Sequence, residues 1–188
     1  MRVVGGRLRS RPIAGPKSDG KSEGLRPTAD RLRESLFNIL MHAYGDPVTG
    51  ARVLDLFAGT GALGIEAISR GAAYALFVDD GVQARALLRD NTEQLGLGGV
   101  TRIFRRDATK LGPAHPLEPF TLAFLDPPYR MGLAEKALTS ARDGGWLTAG
   151  ALVVVEEAAD ADVKTPVGFE ELERRDYDTT ELIFLRNV

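Results

Sequence analysis

Asp126-Pro127-Pro128-Tyr129 sets an acidic, a rigid and an aromatic group within four residues. Consecutive prolines force an extended backbone and remove two N–H donors. The Pro127 carbonyl is then free to accept a hydrogen bond, Asp126 supplies a second acceptor, and Tyr129 offers a flat surface for a ring. An exocyclic amino nitrogen on a nucleic-acid base needs such a set. Its lone pair is delocalised into the ring, so it attacks poorly until acceptors on its N–H bonds turn it towards tetrahedral geometry. Catalysis is then positioning and electrostatics, with no covalent intermediate on the protein. Tyr129 would stack on a flipped-out or single-stranded base. The plainer reading is a strand-terminating turn with a surface tyrosine. The motif does not name the base, because adenine N6, cytosine N4 and guanine N2 are all amino nitrogens.

A second cluster spans Asp55 to Gly64. The apolar run Val53–Phe57 leads into Ala58-Gly59-Thr60-Gly61-Ala62-Leu63-Gly64. Three glycines spaced G-x-G-x-x-G, after a strand and before a helix, let a backbone turn sharply and a ligand approach closely. Asp79 follows at the spacing of a ribose-binding carboxylate, which also fits a dinucleotide such as NAD. Asp55 favours S-adenosylmethionine instead. A carboxylate inside the strand suits the cationic methionine moiety, directly or through water, although it would equally cap the loop amides. The expected cofactor contacts are Asp55, Phe57, Ala58, Gly59, Thr60 and Gly61 from the loop, Asp79 for the ribose with Asp80 as its rival, and Asp107 with Ala108 at the adenine.

These groups need a frame that puts strand ends side by side. From residue 51 strand and helix signals alternate. Strands are predicted at Arg52–Phe57, Tyr74–Val78, Thr101–Arg105, Thr121–Leu125 and Ala151–Glu156. Helices are predicted at Leu63–Ser69, Val82–Leu95 and Leu133–Ala141. Phe169–Tyr177 and Thr180–Arg186 would close the chain as a hairpin. The expected fold is α/β, a Rossmann-like doubly wound, mostly parallel seven-stranded sheet with ligands at the carboxyl ends of its strands. An N-terminal helix over 28–43 has Thr28 as its N-cap and Leu32, Leu36, Phe37, Ile39 and Leu40 as its apolar stripe, with Arg31, Arg33 and Glu34 elsewhere. Residues 1–25 are expected to be a basic arm, a short hairpin over 1–13 with apolar Val4, Leu8 and Ile13, then a mobile loop over 14–24. The methyltransferase-like domain would occupy 26–188.

The chain has 188 residues, enough for one sizeable core. It has no cysteine, hence no disulfide and no thiolate chemistry. Its two histidines, His42 and His115, read as surface residues, and no metal is expected. No signal peptide or membrane span is visible, so a cytoplasmic protein is the expectation, and a monomer the default. The net charge of −2 conceals a division: residues 1–33 hold nine basic residues against three acidic ones, and the remainder is acidic. A basic arm on an acidic body suits a polyanionic partner, and equally a merely solvated terminus.

With these residues in view, the chain resembles the bacterial small-subunit ribosomal RNA guanine-N2 methyltransferase family over nearly its whole length. The resemblance lies in Arg2-Val3-Val4-Gly5-Gly6-Arg7-Leu8, in Arg26-Pro27-Thr28 with Arg31–Leu40, in Asp55–Gly64, and in Asp126–Tyr129. It implies methyl transfer from S-adenosylmethionine to a guanine N2 in 16S rRNA, within an assembled or assembling small subunit. It places the cofactor on Asp55, Gly59, Gly61, Asp79, Asp107 and Ala108, and catalysis on Asp126, Pro127 and Tyr129, with Pro128 completing the motif. Where the family often has Glu at the end of the second strand, this chain has Asp79-Asp80. Arg7, Arg9, Arg11, Lys17, Lys21, Arg26 and Arg31 are the candidate RNA contacts, giving affinity and orientation rather than sequence choice. The arm would order on the ribosome.

Other classes stay open on sequence grounds. A DNA adenine-N6 or protein-glutamine methyltransferase would use similar chemistry. The first usually carries a target-recognition domain, and no insertion here is long enough to be one. The second favours Asn-Pro-Pro-Tyr. A non-catalytic ribosome-assembly factor would be expected to lose the acceptors that this chain keeps. A NAD enzyme leaves Asp126–Tyr129 unexplained.

Overall fold

A computed structural model describes residues 1–17 and 26–188, with residues 26–28 described by backbone alone. Seven strands form one sheet: β1 (Arg52–Leu56), β2 (Tyr74–Val78), β3 (Thr101–Phe104), β4 (Phe120–Leu125), β5 (Leu147–Ala158), β6 (Phe169–Tyr177) and β7 (Thr180–Asn187), in the order β3-β2-β1-β4-β5-β7-β6. Strands β1 to β5 pair in parallel, and β7 runs antiparallel to both β5 and β6. Strand order reverses between β1 and β4, the switch point where the carboxyl ends of an open parallel sheet leave a crevice.

Among the described residues four helices cover the sheet: α1 (Arg26–Ala43), α2 (Ala62–Ser69), α3 (Val82–Gln94) and α4 (Leu133–Asp143). Alternation along each strand divides the core in two. Val53, Leu122, Phe124, Val154 and Phe184 face one layer with Phe37 and Leu40 of α1, Ile65 and Ile68 of α2 and Leu88 of α3. Leu54, Leu56, Ala123, Leu125, Val153 and Val155 face the other with Ala134, Ala137 and Leu138 of α4 and the fully buried Trp146.

The strands stand close to their predicted bounds, apart from β5. It begins at Leu147 rather than Ala151, because it pairs with β4 through a register shift between Phe120 and Leu122 that absorbs the Ala149-Gly150 interruption. Helix α1 begins at Arg26, two residues before the expected N-cap Thr28, whose side chain lies outside the described residues. Pro27 suits a first turn, where its missing N–H has no helical partner. Arg33 is a correction. It was placed off the apolar face, yet it is buried, because Asp30 and Glu66 both pair with it.

The N-terminal segment differs most from expectation. Residues 1–13 do turn back on themselves, with a bridge between Arg2 and Pro12. They pack into the core instead of standing off as an arm: Val3, Leu8 and Ile13 are buried, and Val4 only partly. Three polar side chains fix the segment. Glu66 on α2 accepts from the N–H groups of Val4 and Gly5 at 2.9 and 2.8 Å. Ser69 accepts from Leu8 N at 2.9 Å, and Asn91 on α3 accepts from Ala14 N at 2.8 Å. A Cβ on Gly6, whose φ is +74°, would lie 2.0 Å from the Ser69 carbonyl oxygen, so only glycine permits this approach. The mobile loop expected over 14–24 falls mostly outside the described residues.

Candidate active site

The turn from β1 into α2 is the first wall. Phe57 takes a left-handed backbone (φ 57°), as do Gly59 and Gly61 (58° and 82°). For a phenylalanine this costs about 1–3 kcal/mol and is retained where the surroundings impose it. Gly61 caps α2 without a side chain to offer. Asp55 supplies the missing acceptor, taking the Gly64 N–H at 3.0 Å. A Cβ on Gly64 would come within 2.4 Å of the Phe77 ring, so this glycine brings α2 against β2. Burial pushes the Asp55 carboxyl up to about 8, with the Gly64 hydrogen bond opposing and the charge of Asp79 adding.

Asp79 braces the same loop from the end of β2. One oxygen accepts from Gly59 N and the other from Gly81 N, both at 2.9 Å. Asp80 is exposed. Asp107 caps the short turn Ala108–Lys110, accepting from the Thr109 N–H and hydroxyl at 2.8 and 2.7 Å, which hold its carboxyl below its usual value. Asp79, Asp80, Asp107 and Ala108 line one hollow with Pro128.

A second cavity, about 360 Å³, adjoins it across Phe57. Its walls are Asp55 of β1, Ala58, Gly59 and Thr60 of the glycine loop, Asp126 just after β4, Glu156 near the end of β5, and Ala29, Leu32 and Arg33 of α1, with Met1. The structure therefore brings the expected cofactor residues and Asp126 to one edge of the sheet, apart from Gly61, which lines neither cavity and packs against Leu88, Ile65 and Phe77. Pro127 is buried and Pro128 exposed. Asp126 is exposed on the wall of the cleft, with protein crowding around it. Burial, then the charges of Glu156, Asp55 and Glu157, push it well above the ordinary carboxylate range.

Sequence reasoning missed two acidic residues. The Tyr129 hydroxyl donates to Glu156 Oε1 at 2.6 Å. The next pair repeats the pattern: Glu157 Oε1, buried, accepts from Arg130 N at 3.0 Å and from Ala158 N at 2.8 Å. Arg130 lies at φ 61°, so Glu157 holds the loop through a left-handed residue. Burial raises the Glu156 carboxyl, and the Tyr129 hydrogen bond opposes it. The available signal was the pair Glu156-Glu157 closing an apolar run beside the strand that ends in Asp126.

The candidate RNA contacts do not gather at this edge. Arg7 N bonds Ser69 O at the far end of α2, about 12 Å along the helix from the cleft. Arg9 is exposed on the same turn, and Arg11 reaches the Gln94 carbonyl at the end of α3. Lys17 and Arg31 are exposed. Lys21 and the Arg26 side chain lie outside the described residues. Within those residues no three potential metal ligands cluster, and no helix is long and apolar enough to cross a membrane.

The residues present fit S-adenosylmethionine. Three carboxylates around one cavity suit a ligand with an ammonium and a sulfonium, and the adjoining hollow supplies acceptors for hydroxyl and amino groups. Fold and cleft thus define a Rossmann-like, S-adenosylmethionine-dependent methyltransferase. The chain belongs to the ribosomal RNA small subunit methyltransferase D family: the family model described as Conserved hypothetical protein 95 matches residues 1–186. Ribosomal RNA small subunit methyltransferase D of Escherichia coli strain K12 is 38% identical over 165 residues, covering 88% of this chain and 78% of that protein. Among solved structures, the Escherichia coli protein yhhF, described as a candidate methyltransferase, superimposes with a TM-score of 0.81 at 30% identity, over 100% of this chain and 97% of that one. The Haemophilus influenzae protein HI0767, described as a candidate methylase, does so at 0.78 and 28%, over 100% and 98%.

Proposed function

We propose that this protein transfers a methyl group from S-adenosylmethionine to the N2 amino group of a guanine in 16S rRNA of the small ribosomal subunit or its precursor. The observation that carries this reading is the shared cavity, in which Asp126 faces the glycine loop with Glu156 beside it. Membership in the family supports the substrate.

The bound cofactor supplies an activated methyl on its sulfonium and leaves as S-adenosylhomocysteine. Everything else falls to the chain. Asp55 and the loop Phe57–Thr60 would hold the cationic end, whose positive charge would draw the raised carboxyls of the cavity towards their ionised form. Asp79 and Asp107 hold the nucleoside end. Asp126 and the Pro127 carbonyl accept from the two N–H bonds of the amino group and aim its lone pair at the methyl carbon. In its ionised form Asp126 would stabilise the positive charge that develops on N2 as it is methylated, and would accept the proton that N2 then releases. Tyr129 stacks on the base, its orientation set by Glu156.

Labelled S-adenosylmethionine, offered small subunits from a strain lacking this protein, should yield N2-methylguanosine in 16S rRNA. Label on DNA adenine or on protein glutamine, supplied in parallel, would keep the chemistry and replace the substrate. Cofactor binding without transfer to any of the three would favour an assembly role.

A further inference from the structure

Asp126 and Glu156 stand one step beyond Leu125 and Val155, the last residues that β4 and β5 pair with each other, and Glu156 goes on to pair with Leu182 of β7. Leu125 and Val155 face the α4 layer, so the next residue on each strand turns to the layer of α1 and α2, where both line the same cavity. Two carboxylates thus sit side by side where a base must present its amino group.

The three bases with amino groups meet such a pair differently. In guanine the amino group neighbours N1–H, a donor. In adenine and cytosine the ring nitrogen beside the amino group and on the pairing edge carries a lone pair. A second carboxylate next to the acceptor for the amino group attracts the first and repels the other two. Glu156 is held for this role: the Tyr129 hydroxyl fixes Oε1 at 2.6 Å, and among the described residues no other hydrogen bond reaches the carboxylate. Glu157, by contrast, turns inward onto Arg130 N and Ala158 N.

We propose that Glu156 selects guanine, its carboxylate accepting from N1–H while Asp126 accepts from the 2-amino group. This assignment rests on the guanine-N2 reading above. It makes one residue outside the Asp126–Tyr129 motif responsible for the choice that the motif leaves open.

The test uses the full-length protein and rRNA substrate carrying guanine or 2-aminopurine at the methylated position. 2-Aminopurine keeps the 2-amino group but bears a lone pair at N1. The wild-type protein should prefer guanine by roughly 10- to 100-fold in kcat/KM, the range of one hydrogen bond to a charged group. Glu156→Gln offers an amide N–H to that lone pair and should shrink the preference about tenfold or more. Tyr129→Phe leaves the charge but frees the carboxylate, and should also reduce it. Melting curves and cofactor binding establish that each variant is folded, and if Glu156→Gln is not, Tyr129→Phe decides. An undiminished preference in the folded variants overturns the role of Glu156 while the guanine-N2 reading stands. A wild-type protein that labels no guanine overturns both.

Discussion

Asn91 of α3 donates to the Thr60 carbonyl at 2.9 Å and, with the same amide nitrogen, to the Ala14 carbonyl at 3.0 Å. Its oxygen accepts from Ala14 N, so one fully buried side chain ties the N-terminal segment to the cofactor loop. Asn91→Ala strands three backbone groups and should cost about 1–3 kcal/mol, a fall in Tm of about 2–4 °C per kcal/mol. On the proposed assignment of the loop to the cofactor and not the base, KM for S-adenosylmethionine should rise more than kcat falls. Steady-state kinetics beside calorimetric cofactor titration checks this. An equal fall in kcat with KM unchanged would make Asn91 purely architectural.

Asp126→Ala should abolish turnover and leave cofactor affinity nearly intact, measured by single-turnover transfer and cofactor titration. Tyr129→Ala should lose stacking worth about 1–3 kcal/mol in RNA binding. Tyr129→Phe should restore that binding, since the ring remains.

The pH profile follows from the two coupled carboxyls. Asp126 and Glu156 are both raised above the usual carboxylate range, Asp126 partly by the charge of Glu156. Protonation of either removes an acceptor, so kcat/KM should rise with pH along an acid limb above the ordinary carboxylate range. Glu156→Gln removes one negative neighbour and should move that limb to lower pH. A limb that stays in place would separate Glu156 from the titration.

Asp55 should weaken the fold as pH rises. Its carboxyl ionises at about 8 in the folded chain against about 4 when unfolded. Between those values the unfolded state has lost the proton that the folded state keeps, so the contribution to stability falls as pH rises from about 4 to about 8. Asp55→Asn keeps an acceptor for Gly64 N, removes the titration, and should raise Tm at pH 8 more than at pH 4. The same substitution should weaken S-adenosylmethionine binding. Thermal melts at both pH values, with and without cofactor, measure the two effects.

Deleting residues 1–14 should destabilise the whole protein, because Val3, Leu8 and Ile13 are core residues. Charge reversal at exposed Arg7 and Arg9 probes RNA contact without that damage. If they touch phosphate, the slope of log affinity against log salt should flatten by about 0.7–0.9 per contact. An unchanged slope would confine recognition to the cleft edge.

The centre of the parallel core was legible because β1, β2 and β4 are short, mostly apolar runs soon followed by glycine or by Asp-Pro, and those local signals agree with the tertiary result. Asp55, Gly59, Asp79 and Asp126 could be found because a glycine spacing or a proline pair marks each neighbourhood. Glu156 and Glu157 carry no such mark. Their meaning depends on β5 lying beside β4, a long-range pairing that no local window contains. Arg33 and Glu66 were illegible for a similar reason, since a charged residue on a helix reads as solvated until its partner is known. The packing of the basic terminus was illegible because composition reports charge and not the Glu66, Ser69 and Asn91 side chains that receive its backbone.

Those three receivers lie 61 to 77 residues downstream of the groups they bind. During synthesis the first fourteen residues therefore emerge long before anything exists to hold them. At about 5–20 residues per second the nascent segment waits for several seconds. Through that interval Val3, Leu8 and Ile13 lack the side chains of α2 and α3 that hold their segment, and the arginines interleaved with them favour its solvation.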